Sequence, residues 1–330
     1  MSDRWNHCLD PRGGPASPIR WVRAAPGDDE TELARWRAAV GPVRVADAPG
    51  VDDPDWPLQV IAWNAQVGGG AIRRLWDRIT AAETDGHTIP TVLLLQEVFA
   101  AGPDLPEVVD DSAWATRITG TPRGENRTDI VSFAREASLS LLYVPSMRNG
   151  GPDGGTPEDR GNAILANVPL SSGHAIELPF ERQRRVAVAA KAAVGGHRIA
   201  FCSVHLENRA PWRRAWRSLG SGRGRQMASL LGIFPGCFEA DAFVLGGDLN
   251  TWVRGCREAA YTLARSRFPL PEHPDPRPTH HLEIGGWLRP ADYLLFRLPT
   301  HWHCEYRRLD DNFGSDHYPL AGTIGMVADR

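Results

Sequence analysis

Eight polar side chains stand at the ends of apolar runs, where connecting loops can deliver them to a shared cleft. Asn64 follows Leu58 to Trp63, Glu97 follows Thr91 to Leu95, and His205 closes a long β-rich segment. Asp248 and Asn250 follow Ala242 to Leu245, Asp292 opens another apolar run, and Asp316 with His317 precedes a third. Carboxylates and carboxamides are hard oxygen ligands for a divalent cation, and imidazoles gain and lose protons near neutral pH. These are the groups that a magnesium-assisted cleavage of a phosphoryl-oxygen bond requires. Several carboxylates without cysteine ligands favour Mg2+ or Mn2+ over Zn2+. Clustering them raises their proton affinity unless a cation is bound.

The elements that position these residues are legible as apolar patterns. Leu58 to Trp63 predicts a buried strand, and Ile72, Leu75, Trp76 and Ile79 keep helical spacing after it. Thr91 to Leu95 predicts a second strand; Ile130, Phe133, Ala134 and Ala137 predict a helix, with strands near Leu141 to Val144 and Ala163 to Ala166. Arg185 to Val194 and His197 to His205 flank Gly195-Gly196, a turn that favours an antiparallel hairpin. Helices are expected near Gln226 to Phe234 and Arg257 to Arg265, with strands at Ala242 to Leu245, Tyr293 to Phe296 and Tyr318 to Ile324. A hairpin cannot sit inside a purely parallel sheet, so mixed sheets covered by helices follow. The first 57 residues are rich in proline, glycine and acidic side chains, with one helical pattern in Leu33, Trp36 and Val40. They read as an N-terminal extension, 1–57, packing onto a main domain, 58–330.

Composition bounds the function. The 330 residues are 42% apolar and 23% charged, which excludes disordered, collagenous and coiled-coil chains. With 37 basic and 40 acidic residues the net charge is -3, so no global positive field draws the chain onto nucleic acid, and an anionic partner needs a local patch. That patch is Arg209, Arg213, Arg214, Arg217, Arg223 and Arg225, six arginines in seventeen residues interleaved with Trp212 and Trp216. Because it follows His205, the patch is expected to border the cleft, where arginine and indole grip phosphates and stack on bases or sugars. The same composition suits an anionic lipid surface, or a solvated loop pairing with surface carboxylates. Gly220 and Gly222 suggest a mobile loop there.

Five widely spaced cysteines without a C-x-x-C pair argue against a disulfide framework or a zinc knuckle. No stretch approaches the ~20 apolar residues of a transmembrane helix, and Met1 to Leu9 lacks the apolar run of a signal peptide, so a cytoplasmic location is the default expectation. Gly68 to Gly70 follows a strand, but the Lys-Ser/Thr of a phosphate loop is missing and a turn is expected. His280 with His281, and His301 with His303, have no cysteine or carboxylate at metal-ligand spacing and read as loop and strand-face residues.

Six segments carry a family resemblance in order: Val60-Ile61-Ala62-Trp63-Asn64, Leu94-Leu95-Gln96-Glu97-Val98, Gly161-Asn162-Ala163-Ile164-Leu165, Ser203-Val204-His205-Leu206, Gly247-Asp248-Leu249-Asn250 and Ser315-Asp316-His317-Tyr318-Pro319-Leu320. They resemble the motifs of the endonuclease/exonuclease/phosphatase superfamily, of which DNase I is the familiar member. The resemblance runs from about Leu58 to Met326. It implies an α/β fold, a four-layer sandwich of two mixed β-sheets flanked by helices. It implies Glu97 as the principal magnesium ligand with Asn64 and Asp316 near the ion, and Asp248 and Asn250 positioning or deprotonating the attacking water. It further implies Asp292 orienting His317, His205 and His317 flanking the scissile phosphate, and Asn162 contacting it; Arg209 and Arg213 of the basic patch are the added candidates for substrate contact. Two departures stand out. Gln66 replaces an acidic residue found in some superfamily nucleases, which favours one-metal chemistry, and Arg289-Pro290-Ala291-Asp292-Tyr293 is one residue longer than the usual signature. The implied activity is hydrolysis of a phosphate ester, foremost a phosphodiester of nucleic acid. The alternatives are a phospholipid head group or a small phosphorylated metabolite as substrate, or a binding member of the fold without catalysis.

Overall fold

The computed structural model describes residues 7–8, 19–23, 30–47, 53–81, 88–106, 117–118, 127–149, 157–208, 220–251, 255–281 and 290–326. In chain order the strands are β1 (His7–Cys8), β2 (Arg20–Arg23), β3 (Arg44–Ala46), β4 (Leu58–Asn64), β5 (Thr91–Ala101), β6 (Arg117–Ile118), β7 (Ser140–Asn149), β8 (Glu158–Ala166), β9 (Ser171–Glu177), β10 (Val186–Val194), β11 (His197–His205), β12 (Ala242–Asp248), β13 (Asp292–Arg297), β14 (Trp302–Arg308) and β15 (Leu320–Met326). The helices are α1 (Glu30–Ala39), α2 (Ile72–Thr80), α3 (Ile130–Glu136), α4 (Ser221–Ile233) and α5 (Ala259–Arg267).

The strands form two sheets. One has seven strands in the order β1-β2-β9-β10-β11-β12-β13, and the other has eight, β14-β15-β4-β5-β8-β7-β3 with β6 on β7. Both are mixed, because β11 runs parallel to β12 and β4 parallel to β5 among antiparallel neighbours. Alternation along single strands explains the layering. In β4, Val60 and Ala62 join the core between the sheets, while Ile61 and Trp63 join a second core with Ile72 and Leu75 of α2 and Phe133 of α3. In β12, Val244 faces the central core, while Phe243 and Leu245 pack with Met227 and Leu230 of α4 and Ala260 of α5. Strands buried on both faces must read as continuous apolar runs, and those are the runs visible in the sequence. The result is the expected four-layer sandwich of two mixed sheets flanked by helices.

The predicted hairpin is β10-β11, closing at Val194 opposite His197. Gly195 and Gly196 take φ of 57° and 79°, the left-handed pair that a two-residue hairpin turn demands. The first 57 residues contribute more than a covering layer: β2 pairs with β9 in one sheet, and β3 pairs with β7 in the other. Trp36 of α1 is fully buried and donates through Nε1 to Ser146 O at 2.7 Å. Gly220 and Gly222 lie at the start of α4, and the segment 209–219 before them is outside the described residues. Gly220 caps α4 with φ of 87°, and Gly222 lies within its first turn against Glu181. Among the described residues no helix is long and apolar enough to cross a membrane.

Candidate active site

Three candidate residues occupy one row across adjacent strands. His205 ends β11 opposite Asp248 at the end of β12, and Asp248 in turn lies opposite Asp292 at the start of β13. Gly247 makes the row tight. Its φ is 150°, and a side chain there would run into the carbonyl of Val204. Asn64 arrives from the other sheet at the end of β4, and its Nδ2 donates to Asp248 Oδ2 at 3.1 Å. Gln96 and Ser203 tie the sheets together just behind, through a 2.9 Å hydrogen bond between their side chains.

Asp248 is the centre of the arrangement. Its Oδ1 accepts from Asn250 N at 2.8 Å, and its Oδ2 lies 3.4 Å from His205 Nε2 and 3.9 Å from His317 Nε2. Asn250 holds a left-handed φ of 52° and donates from Nδ2 to Leu206 O at 2.9 Å. His317 precedes β15 and is locked by its backbone: its N–H donates to Ser315 Oγ at 3.1 Å, and its carbonyl accepts from Trp63 Nε1 at 3.0 Å. Ser315 Oγ in turn donates to Asn64 O at 2.7 Å. His317 Nδ1 lies 2.8 Å from Asp292 Oδ2, while both backbone N–H groups of Ala291 and Asp292 donate to Thr279 Oγ1 at 3.0 Å.

This environment drives the two imidazoles apart. Burial disfavours a charge on His317, but the adjacent Asp292 carboxylate outweighs it and raises the pKa to about 10. His205 is pushed well below its ordinary value by burial, then by the positive charge of Arg185, His317 and Arg160. Between them Asp248 is raised to about 7, by burial first and by the charge of Asp292 second. A charged imidazole and a neutral one therefore flank a carboxylate of raised proton affinity, the pairing that separates acid and base roles.

Glu97 corrects a sequence expectation. It does not follow a strand but sits inside β5, where the pairing with β8 shifts register between Leu95 and Val98. A bulge turns its side chain out of the ladder, at the cost of a left-handed φ of 50° for a non-glycine residue. The carboxylate, 20% exposed, lies 3.7 Å from Arg160 Nη1 and 3.8 Å from His205 Nδ1. Asn162 of β8 faces the bulge in register, with its Nδ2 donating to Val186 O at 2.7 Å.

The residues expected around one metal ion stand about the same group of side chains, Asn64 on Asp248, Glu97 beside His205 and Asp316 beside His317. Among the described residues, the close groups of metal-competent side chains are His280, Asp316 and His317, and Asp248, Asp292 and His317. Asn64 contacts Asp248, Glu97 belongs to neither group, and Asp316, 39% exposed, has Oδ1 3.9 Å from His317 Nε2, the ring nitrogen that also faces Asp248. The sequence pattern places His280 in a loop, and the structure makes it a neighbour of the site. A bridge pairs it with His317, its ring stacks edge-on at 4.5 Å, and its Nε2 lies 3.6 Å from Asp316 Oδ2. Burial and the adjacent His317 lower its pKa. Arg160 was also missed; its pKa is lowered by burial despite the opposing charge of Glu97.

Arg209, Arg213, Arg214 and Arg217, with Trp212 and Trp216, lie outside the described residues. The last two arginines of the patch are structural. Arg223 is buried against Glu258 and donates to Glu207 O, and Arg225 pairs with Glu181 at 2.6 Å.

The sequence and the fold can be set beside known proteins. A solved endonuclease/exonuclease/phosphatase from Beutenbergia cavernae DSM 12333 superimposes with a TM-score of 0.56 at 17% identity, covering 82% of this chain and 72% of that one. The human Nocturnin catalytic domain with bound sulfate anion superimposes at 0.51 with 18% identity over 86% and 97%, and a humanized D. rerio TDP2 at 0.51 with 15% identity over 82% and 99%. At these identities the likeness is one of fold. No curated protein matches the sequence. The family model described as Endonuclease/Exonuclease/phosphatase family matches residues 61–317, a span that opens in β4 and closes on the histidine beside Asp292. Matched over most of its length and folded as two packed mixed sheets, the chain belongs to the endonuclease/exonuclease/phosphatase family.

Proposed function

We propose that this chain is a metal-dependent phosphodiesterase that hydrolyses a phosphorus-oxygen bond by in-line attack of water. One observation carries the reading: Asp248, with its proton affinity raised to about 7, stands within 3.9 Å of one charged and one neutral imidazole. A carboxylate of that affinity takes a proton from water near neutral pH far better than an ordinary one. Asn250 N and Asn64 Nδ2 hold it in place from opposite sides. The new bond forms between the water oxygen and phosphorus, the water proton passes to Asp248, and the bond to the leaving oxygen breaks. His317 is held protonated by Asp292, so its Nε2–H stabilises the charge that develops on the phosphoryl oxygens or protonates the leaving oxygen. His205, kept neutral, shares the opposite flank.

The donor set fits a hard divalent cation. Glu97, Asn64 and Asp316 offer carboxylate and carboxamide oxygens without a thiolate, and we assign them to Mg2+, with Mn2+ as a substitute. When bound, such an ion neutralises phosphoryl oxygens and stabilises the departing alkoxide. Arg160 acts as counter-ion to Glu97 in the metal-free protein.

Nucleic acid is the favoured substrate, with Arg209 and Arg213 on its phosphates. A second reading, a phospholipid head group or a small phosphorylated metabolite, is favoured by the net charge of -3. Hydrolysis of a chromogenic phosphodiester beside its monoester, with Mg2+, Mn2+ or EDTA, tests the chemistry without presupposing the substrate. Diester cleavage that requires metal and is lost in Asp248→Asn is the expected result. Preferential monoester cleavage, or diester cleavage indifferent to EDTA and to the substitution, overturns the assignment. DNA, RNA and lipid panels then separate the two readings.

A further inference from the structure

We propose that His280, Asp316 and His317 form a transition-metal site that takes Zn2+ through two imidazole nitrogens and one carboxylate, and that the ion inhibits turnover by occupying Nε2 of His317. The argument begins with the ligand atoms. His280 Nε2 is 3.6 Å from Asp316 Oδ2, and His317 Nε2 is 3.9 Å from Asp316 Oδ1. The two imidazoles meet different oxygens of Asp316, and the three ligand atoms lie within 4.8 Å of one another. With zinc-ligand bonds of about 2.0–2.2 Å, tetrahedral ligands stand some 3.3–3.5 Å apart, so drawing the ligands together by about 1 Å closes the site.

The ligands are already held. His280 bridges to His317, Tyr318 N donates to Thr279 O and His281 N to Asp316 O, both at 2.7 Å, which fixes the two segments side by side. Asp292 takes Nδ1 of His317, so only Nε2 can coordinate, the ion displacing to solvent the proton that Nε2 carries in the metal-free protein, and a carboxylate behind a ligating histidine orients the ring. Asp316 is shared with the donors assigned to Mg2+, but the other two ligands of the trio are imidazoles. Imidazole suits zinc, and three protein ligands leave a fourth position for water. Side-chain exposures of 19% for His280 and 39% for Asp316 give the ion a path from solvent.

Co2+ is the probe for the site, because a four-coordinate cobalt centre absorbs in the visible whereas Zn2+ is silent. The expected result is one equivalent of Co2+ giving ligand-field bands, without the thiolate charge-transfer band that Cys256 would add, and displaced by Zn2+. The bands disappear in His280→Ala and persist in His281→Ala, whose side chain is outside the trio. His280→Gln, checked by circular dichroism and thermal melting, separates loss of a ligand from loss of the fold. Absent bands in the wild type, or unchanged bands in a folded His280 variant, overturn the site.

The inhibitory role alone rests on the proposed phosphodiesterase reading. Zn2+ titrated into the Mg2+-supported reaction is expected to inhibit the wild type and to require roughly tenfold more metal or greater in His280→Ala. Equal inhibition of both proteins overturns the regulatory part. A protein inactive towards every diester overturns the phosphodiesterase reading, and the cobalt spectrum still decides the metal site.

Discussion

His317 Nδ1 lies 2.8 Å from Asp292 Oδ2, and both side chains are buried. The carboxylate does two things at once: it fixes which ring nitrogen faces the cleft, and it holds a proton on a histidine that burial alone would strip. Asp292→Asn keeps the shape and removes the charge. We expect kcat to fall by about 10²–10³, the cost of losing one preorganised charge-stabilising donor. A packing role would leave the ring's titration in place. The NMR titration of His317 is therefore the discriminating readout, and its pKa should drop from about 10 towards the ordinary histidine range.

The same pair makes metal-free stability depend on pH. The folded-state pKa of His317 is raised, so its stabilisation is complete below the unfolded value near 6.5 and is lost as pH rises towards 10. Asp248 titrates between them, which complicates the wild-type curve. Denaturant unfolding in EDTA should accordingly compare Asp248→Asn with Asp248→Asn/His317→Asn. The difference in stability should shrink between pH 6.5 and 10, with a slope of at most about 1.4 kcal/mol per pH unit. A difference independent of pH over that window would remove the ion pair from the stability of the fold.

Glu97 allows backbone strain to be separated from charge. Its φ of 50° is tolerated by asparagine and strongly disfavoured for a β-branched side chain. Glu97→Asn and Glu97→Val both lose the ion pair with Arg160, so their difference isolates the backbone. Glu97→Val should be less stable than Glu97→Asn by about 1–3 kcal/mol in chemical denaturation. Calorimetry should find Mg2+ binding weakened in both, since neither retains the carboxylate. Equal stabilities would mean that β5 straightens when the carboxylate is gone.

What the sequence reveals follows from how local each signal is. Asn64 and Asp248 were legible because each ends a strand buried on both faces, where a continuous apolar run stops at a polar residue. The Gly195-Gly196 hairpin was legible because its turn chemistry is contained in two residues. Edge strand β14 was not, since its side chains alternate towards solvent and carry charge, as edges do. The bulge at Glu97 was hidden because it is defined by register against β8, not by residues in β5. His280 was hidden for the same reason at longer range: its bridge to His317 spans 37 residues of sequence. The extra residue before Asp292 looked like a departure, yet pairing of β12 with β13 sets Asp292 opposite Asp248 whatever the length of the loop before it.

The arginine patch divides into two roles, and kinetics can tell them apart. Arg223 is buried against Glu258 and braces the chain beyond His205 through Glu207 O, so Arg223→Ala should lower the melting temperature by leaving a buried carboxylate unpaired. Arg209 and Arg213 carry the proposed phosphate contacts. A side chain that serves substrate and not the fold changes the stability of the free protein little, so replacing both with alanine should leave the melting temperature within about 2 °C. With a polyanionic substrate the same variant should raise KM with little change in kcat, and each lost phosphate contact should flatten the salt dependence by nearly one unit of log-log slope. With a small soluble diester both effects should vanish. If KM and the salt slope on nucleic acid match the wild type, the arginines do not touch substrate and the nucleic-acid reading loses its binding surface.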